Sequence, residues 1–114
     1  MSTIHLTEQK CEACEGGVSP LTREEAEELR VQTPAWQINE AGTVLYREYT
    51  LKNFAEALAR INTAGEVAES EGHHPDLHLT DYKHVRIELT THAIGGLSTN
   101  DFIVAAKLDQ KTEA

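Results

Sequence analysis

Positive charge is scarce in this chain of 114 residues: ten lysines and arginines stand against nineteen acids, for a net charge of −9. No basic stripe exists; Arg23 and Arg30 stand apart, and Lys83, His84 and Arg86 make the densest cluster. Such a field opposes binding to a phosphate backbone or an anionic lipid surface. Long apolar runs are missing too, and a membrane-spanning helix would need about 18 such residues. The first ten residues lack the basic-then-apolar order of an export signal, so a cytoplasmic protein is expected. Cysteine occurs only twice, as Cys11 and Cys14, too little for a disulfide framework. None is needed, because a chain of this size buries roughly 65% of its unfolded surface in one core.

The Cys-x-x-Cys spacing suits half a zinc site or a redox pair. A closed zinc site takes four ligands, and only His5 lies nearby. A redox pair of the thioredoxin kind follows a strand and opens a helix, whereas this one precedes Gly16 and Gly17. The plainer expectation is a reduced surface pair in an irregular arm over residues 1–21, with zinc shared between copies of the chain as the alternative. Residues 22–114 then form a single domain.

Proline is also rare, and each of the three punctuates the chain: Pro20 closes the arm, Pro34 follows a first helix and Pro75 a second. Thr22 and Glu25 form a capping box for a helix ending near Val31. Two strands follow, around Trp36 and Ile38 and over residues 44–51, separated by a turn at residues 40–42. Phe54, Ala57, Leu58, Ile61, Ala64 and Ala68 recur at three- and four-residue steps and predict an amphipathic helix over 53–71. Strands at 77–80 and 84–91 come next, with Leu77, Leu79, Val85, Ile87 and Leu89 expected to face the core. Ser98 and Asp101 can cap a last helix carrying Phe102, Ala105 and Ala106. Strand–strand–helix thus occurs twice. The fold expected is α+β: two β-β-α units forming a four-stranded antiparallel sheet with helices on one face, plus an N-terminal helix.

Five of six histidines fall between positions 73 and 92. Histidine exchanges protons most readily near neutral pH, so this clustering is the chief chemical signal. His73 and His74 lie where the long helix must end. His92 follows Arg86, Glu88 and Thr90 on the polar parity of its strand. His84 shares that parity but lies about 25 Å away, and His78 belongs to the outer sheet face. A metal site is disfavoured, because adjacent histidines diverge and no third ligand stands at a helical spacing. Acid–base chemistry on a small heterocycle, without metal, fits better.

Glu69, then His73, His74 and Pro75, then Tyr82, His92 and Asp101, with three, six, nine and eight residues between them, resembles the signature of the pterin-4a-carbinolamine dehydratases. The resemblance runs from about residue 21 to 108 and includes Trp36, the segment 49–54, and Gly96 with Leu97. It implies dehydration of a 4a-hydroxytetrahydropterin to the quinonoid dihydropterin, in tetrahydrobiopterin recycling, with no cofactor. It implies His73, His74 and His92 as catalytic residues and Glu69, Thr90, Thr91 and Asp101 as substrate-binding ones. Thr90 and Thr91 would offer backbone groups to the amide-like edge of the pterin. It also implies a homodimer or homotetramer, and a functional link to an aromatic amino-acid hydroxylase. Two positions depart from the pattern: Gly72 where many members carry an acid, and Leu77 where animal members often carry an aromatic residue. The alternative reading is a scaffold or coregulator of the same fold that binds a pterin or a protein without turnover.

Overall fold

The helices begin where local chemistry provides for their first free amides. In the computed structural model, which describes residues 5–11 and 19–112, the Thr22 hydroxyl accepts the Glu25 N–H while the Glu25 carboxylate accepts the Thr22 N–H. This reciprocal cap opens α1 (Arg23–Arg30). Asn53 caps α2 (Phe54–Glu71) in one direction, its side-chain oxygen accepting the Glu56 N–H at 2.9 Å. At the far end of α2, Gly72 takes a left-handed conformation (φ 67°), which glycine adopts without a Cβ penalty. A third long helix, α3 (Thr99–Thr112), closes the chain.

Four strands, β1 (Gln37–Ile38), β2 (Leu45–Thr50), β3 (Asp76–Thr80) and β4 (His84–Leu89), form one antiparallel sheet in the order β1-β2-β4-β3. The two hairpins meet along β2 and β4, where Tyr46 pairs with Glu88 and Tyr49 with Val85. Val85, Ile87 and Leu89 are buried on the side covered by helices, whereas Arg86 and Glu88 occupy the other. This is the α+β architecture anticipated from the repeated strand–strand–helix pattern. Ala57, Ala64 and Val67 of α2 join Phe102, Ala105 and Leu108 of α3 in the core. Trp36 is fully buried, and its indole N–H donates to Asp109, which also accepts from Arg47 at 2.7 Å. The buried indole N–H and the partly buried guanidinium thereby share one carboxylate.

Two expectations need adjustment. Leu77 was expected to face the core but is 37% exposed, because β3 is an edge strand and only Leu79 packs against the interior. The start of the chain, poor in apolar residues, nonetheless contributes an anchor. A 3-10 turn over Leu6–Glu8 lies against α3, and Leu6 is completely buried, with its N–H donating to Gln32. Cys11 is half-buried against the same core rather than lying on the surface. Cys14, Gly16 and Gly17 lie outside the described residues. Among those described, no helix is long and apolar enough to cross a membrane.

Candidate active site

Three backbone breaks position His73, Thr91 and Asp101. Past Gly72 the His73 N–H turns back onto the carbonyl of Ala68, which throws the His73 side chain away from the helix axis and toward α3. After β4, Thr91 forms an isolated bridge with Gly96, and a 3-10 turn over His92–Ile94 projects from the loop so closed. Gly96 itself is fixed by space: a Cβ there would stand 2.8 Å from Pro20, too near for any contact. The third break is the start of α3, which carries Asp101 in its first turn.

Asp101 is the centre of the arrangement. It is fully buried, and its Oδ1 lies 2.6 Å from His73 Nε2. Its Oδ2 accepts from the Thr91 hydroxyl and from the Ser98 N–H, each at 2.9 Å. The Thr91 and Ser98 hydroxyls also bond each other at 2.7 Å. Three donors thus satisfy a carboxylate that burial would otherwise leave costly. An acceptor at Oδ1 places the His73 ring proton on Nε2 and leaves Nδ1 as the acceptor nitrogen. A buried carboxylate holding one imidazole nitrogen so that the other can act is a recurrent device for orienting a histidine base. His73 retains 12% side-chain exposure.

His92 follows Thr91 directly, so its backbone is tied through one residue to the carboxylate that holds His73. Its side chain is exposed and has no hydrogen-bond partner among the described residues. His74 points elsewhere. Its Nε2 meets Glu69 at 2.8 Å, with side chains 64% and 82% exposed, which makes a solvated pair of small energetic weight. Thr90, expected to act through its backbone, donates its hydroxyl to the Thr43 carbonyl at 2.6 Å and so pins the approach to β2. His78 and His84 lie on the outer sheet face, against Glu88 and against Asp81 and Thr50. Among the described residues, no group of three or more His, Cys, Asp or Glu side chains is placed to hold a metal ion.

One contribution is not visible in the sequence: Thr91, expected to act through its backbone, bonds the Asp101 carboxylate through its hydroxyl. The Ser98 N–H donates to the same carboxylate, as expected of a cap with Asp101 at its third position. The Ser98-x-x-Asp101 spacing was a usable signal. What it could not reveal is that the same carboxylate reaches across to the end of α2.

The model of the family described as pterin 4 alpha carbinolamine dehydratase matches residues 19–111. A protein of Methylococcus capsulatus, provisionally named pterin-4-alpha-carbinolamine dehydratase, is 46% identical over 110 residues, covering 96% of each chain. One of Halorhodospira halophila, provisionally named alike, is 44% identical over 106 residues, covering 93% of this chain and 96% of its own. Among solved structures, the transcriptional coactivator/pterin dehydratase of Brucella melitensis superposes with a TM-score of 0.73 at 27% identity, covering 81% of this chain and 97% of its own. A pterin dehydratase-like protein identified as a RuBisCO assembly factor in the alpha-carboxysome shares the fold, with a TM-score of 0.55 at 18% identity, over 67% of this chain and 87% of its own.

Proposed function

The chain belongs to the pterin 4 alpha carbinolamine dehydratase family, and we propose that it dehydrates a 4a-hydroxytetrahydropterin to the quinonoid dihydropterin and water. The observation that carries this reading is the 2.6 Å contact between His73 and the buried Asp101, whose second oxygen holds the residue preceding His92. Two imidazoles from different elements are thereby referred to one rigid carboxylate.

The reaction breaks the C4a–O bond and the N5–H bond and forms the C4a=N5 double bond. Hydroxide is a poor leaving group, so an acid must deliver a proton to the departing oxygen. A base must accept the N5 proton as its electron pair moves into the new bond. His73, acting through Nδ1, and His92 take these two tasks, and exchange with water resets them. The face of the ring that carries the hydroxyl decides which histidine is the acid. His74 and Glu69, paired on the surface, orient the substrate, Thr90 offers backbone groups to its amide-like edge, and Asp101 positions His73; the Thr91 backbone, expected to share the task of Thr90, is instead taken up by Gly96 and Ile94.

The same reading takes the working form as a cytoplasmic homodimer or homotetramer supplied by an aromatic amino-acid hydroxylase. Phe54, Leu58 and Leu77, between 37% and 50% exposed on α2 and β3, support self-association. The test is stopped-flow decay of freshly generated 4a-hydroxytetrahydropterin with wild type and His92→Ala. Decay faster than in buffer, and largely lost in the variant, is expected. Decay no faster than in buffer with folded protein would leave the chain as a non-catalytic binding module of this fold.

A further inference from the structure

The contact between His73 and Asp101 joins the end of α2 to the start of α3, and a second bridge runs beside it. Glu71 is the last residue of α2, two before His73, and its side chain is only 8% exposed. Burial disfavours a carboxylate there, and so does the negative end of the helix dipole. Two donors compensate: Lys107 of α3 reaches Oε2 at 2.7 Å, and the backbone N–H of Cys11 reaches Oε1 at 3.0 Å. Cys11 then directs its thiol to the carbonyl oxygen of Asn100 at 3.5 Å, one residue before Asp101. Burial and the neighbouring Glu71 charge push that thiol up to about 12, so it stays protonated and serves as a donor. At its other end the segment is anchored by the buried Leu6 and its bond to Gln32.

We propose that Glu71 is a positioning residue: by holding the Cys11 N–H it straps the N-terminal segment across the junction of α2 and α3 and fixes His73 relative to Asp101. The strap thus adds to the direct contact between His73 and Asp101 and to the bond between Glu71 and Lys107, which also join α2 to α3. The sulfur that resembled half a metal site is, in this arrangement, a neutral hydrogen-bond donor. The kinetic consequence rests on the dehydratase reading; the structural one does not.

The decisive variant is Glu71→Leu in the full chain, which keeps apolar bulk and removes both acceptors. Its kcat is expected to fall about tenfold with KM within about twofold of wild type, since a small displacement of a catalytic base acts on the chemical step. The His73 Nε2–H resonance, expected in the wild-type NMR spectrum from its bond to the buried Asp101, should broaden or vanish in the variant. Cys11→Ala should show a weaker form of both effects and Cys11→Ser, with its hydroxyl donor, should recover them. Arg47→Met, which breaks the pair with Asp109 about 12 Å further along α3, serves as a control of similar stability loss with kcat and the resonance unchanged. Wild-type values in Glu71→Leu, or losses no larger than those of Arg47→Met, would overturn the proposal. Should Glu71→Leu fail to fold, the two Cys11 variants decide in the same terms. Should wild type show no turnover, the dehydratase reading falls, and the His73 resonance still decides the role of Glu71.

Discussion

Replacing Asp101 with asparagine changes one oxygen for an NH2 group and almost no volume, in a site with zero exposure. The carboxylate accepts from His73, Thr91 and Ser98, and an amide has only one oxygen to offer them. If that oxygen faces His73, the NH2 meets the Ser98 N–H, donor against donor. If it faces Ser98, the NH2 meets Nε2 and forces the His73 proton onto Nδ1, the nitrogen meant to react. The first arrangement costs about 1–3 kcal/mol for an unsatisfied buried donor, and loss of the charge-assisted bond to His73 costs a similar amount. A total near 3 kcal/mol lowers Tm by roughly 15 °C for a domain of this size, short of unfolding it at 25 °C. Activity should suffer more: with the wrong tautomer populated, kcat should fall at least about 100-fold, the usual worth of a positioned acid or base. Urea denaturation and stopped-flow pterin decay on the same preparation measure both. A folded Asp101→Asn protein with kcat within about threefold of wild type would refute the tautomer reasoning, whatever its Tm.

Three other outcomes are expected. Leu6→Ala should cost about 2–5 kcal/mol in urea denaturation, the range for a large buried aliphatic, although its segment looks dispensable in sequence. Burial pushes the Glu71 carboxyl up, but Lys107 and the Cys11 N–H outweigh it and hold the group below its ordinary 4.5. Its stabilisation is therefore complete above pH 4.5 and disappears as pH falls through the lowered value, so Glu71→Gln should flatten the acid limb of the stability curve. Cys11 should resist iodoacetamide at pH 8 in the native protein and react once it is unfolded, as fragment-ion mass spectrometry would distinguish from Cys14; native alkylation at the rate of a free thiol would contradict its burial.

The elements of this fold were legible because their signals are local. Thr22 with Glu25, the apolar stripe beginning at Phe54, Gly72 past its end, and the alternation of Val85, Ile87 and Leu89 each mark a boundary or a face within a few residues. The candidate site was legible in composition and spacing but not in connection. Asp101 could be read as a helix acid and His73 as a histidine at a helix end; their contact spans 28 positions, and nothing local records it. Leu77 was misplaced because alternation reports which side of a strand a residue takes, not whether anything covers that side. Leu6 was missed for the opposite reason: one leucine has no periodicity, and only the surface of α3 explains its burial.

Asp101 has a consequence for biosynthesis. The carboxylate that holds His73 also accepts the Ser98 N–H at the start of α3, so the last helix and the proposed base are set by one group. A chain emerging from the ribosome N-terminus first carries His73 well before residue 101, and His92 shortly before it. Until the final helix has emerged and docked, its histidines have no shared reference. Activity should therefore appear late and all at once, and a nascent or prematurely stopped chain should be chemically silent.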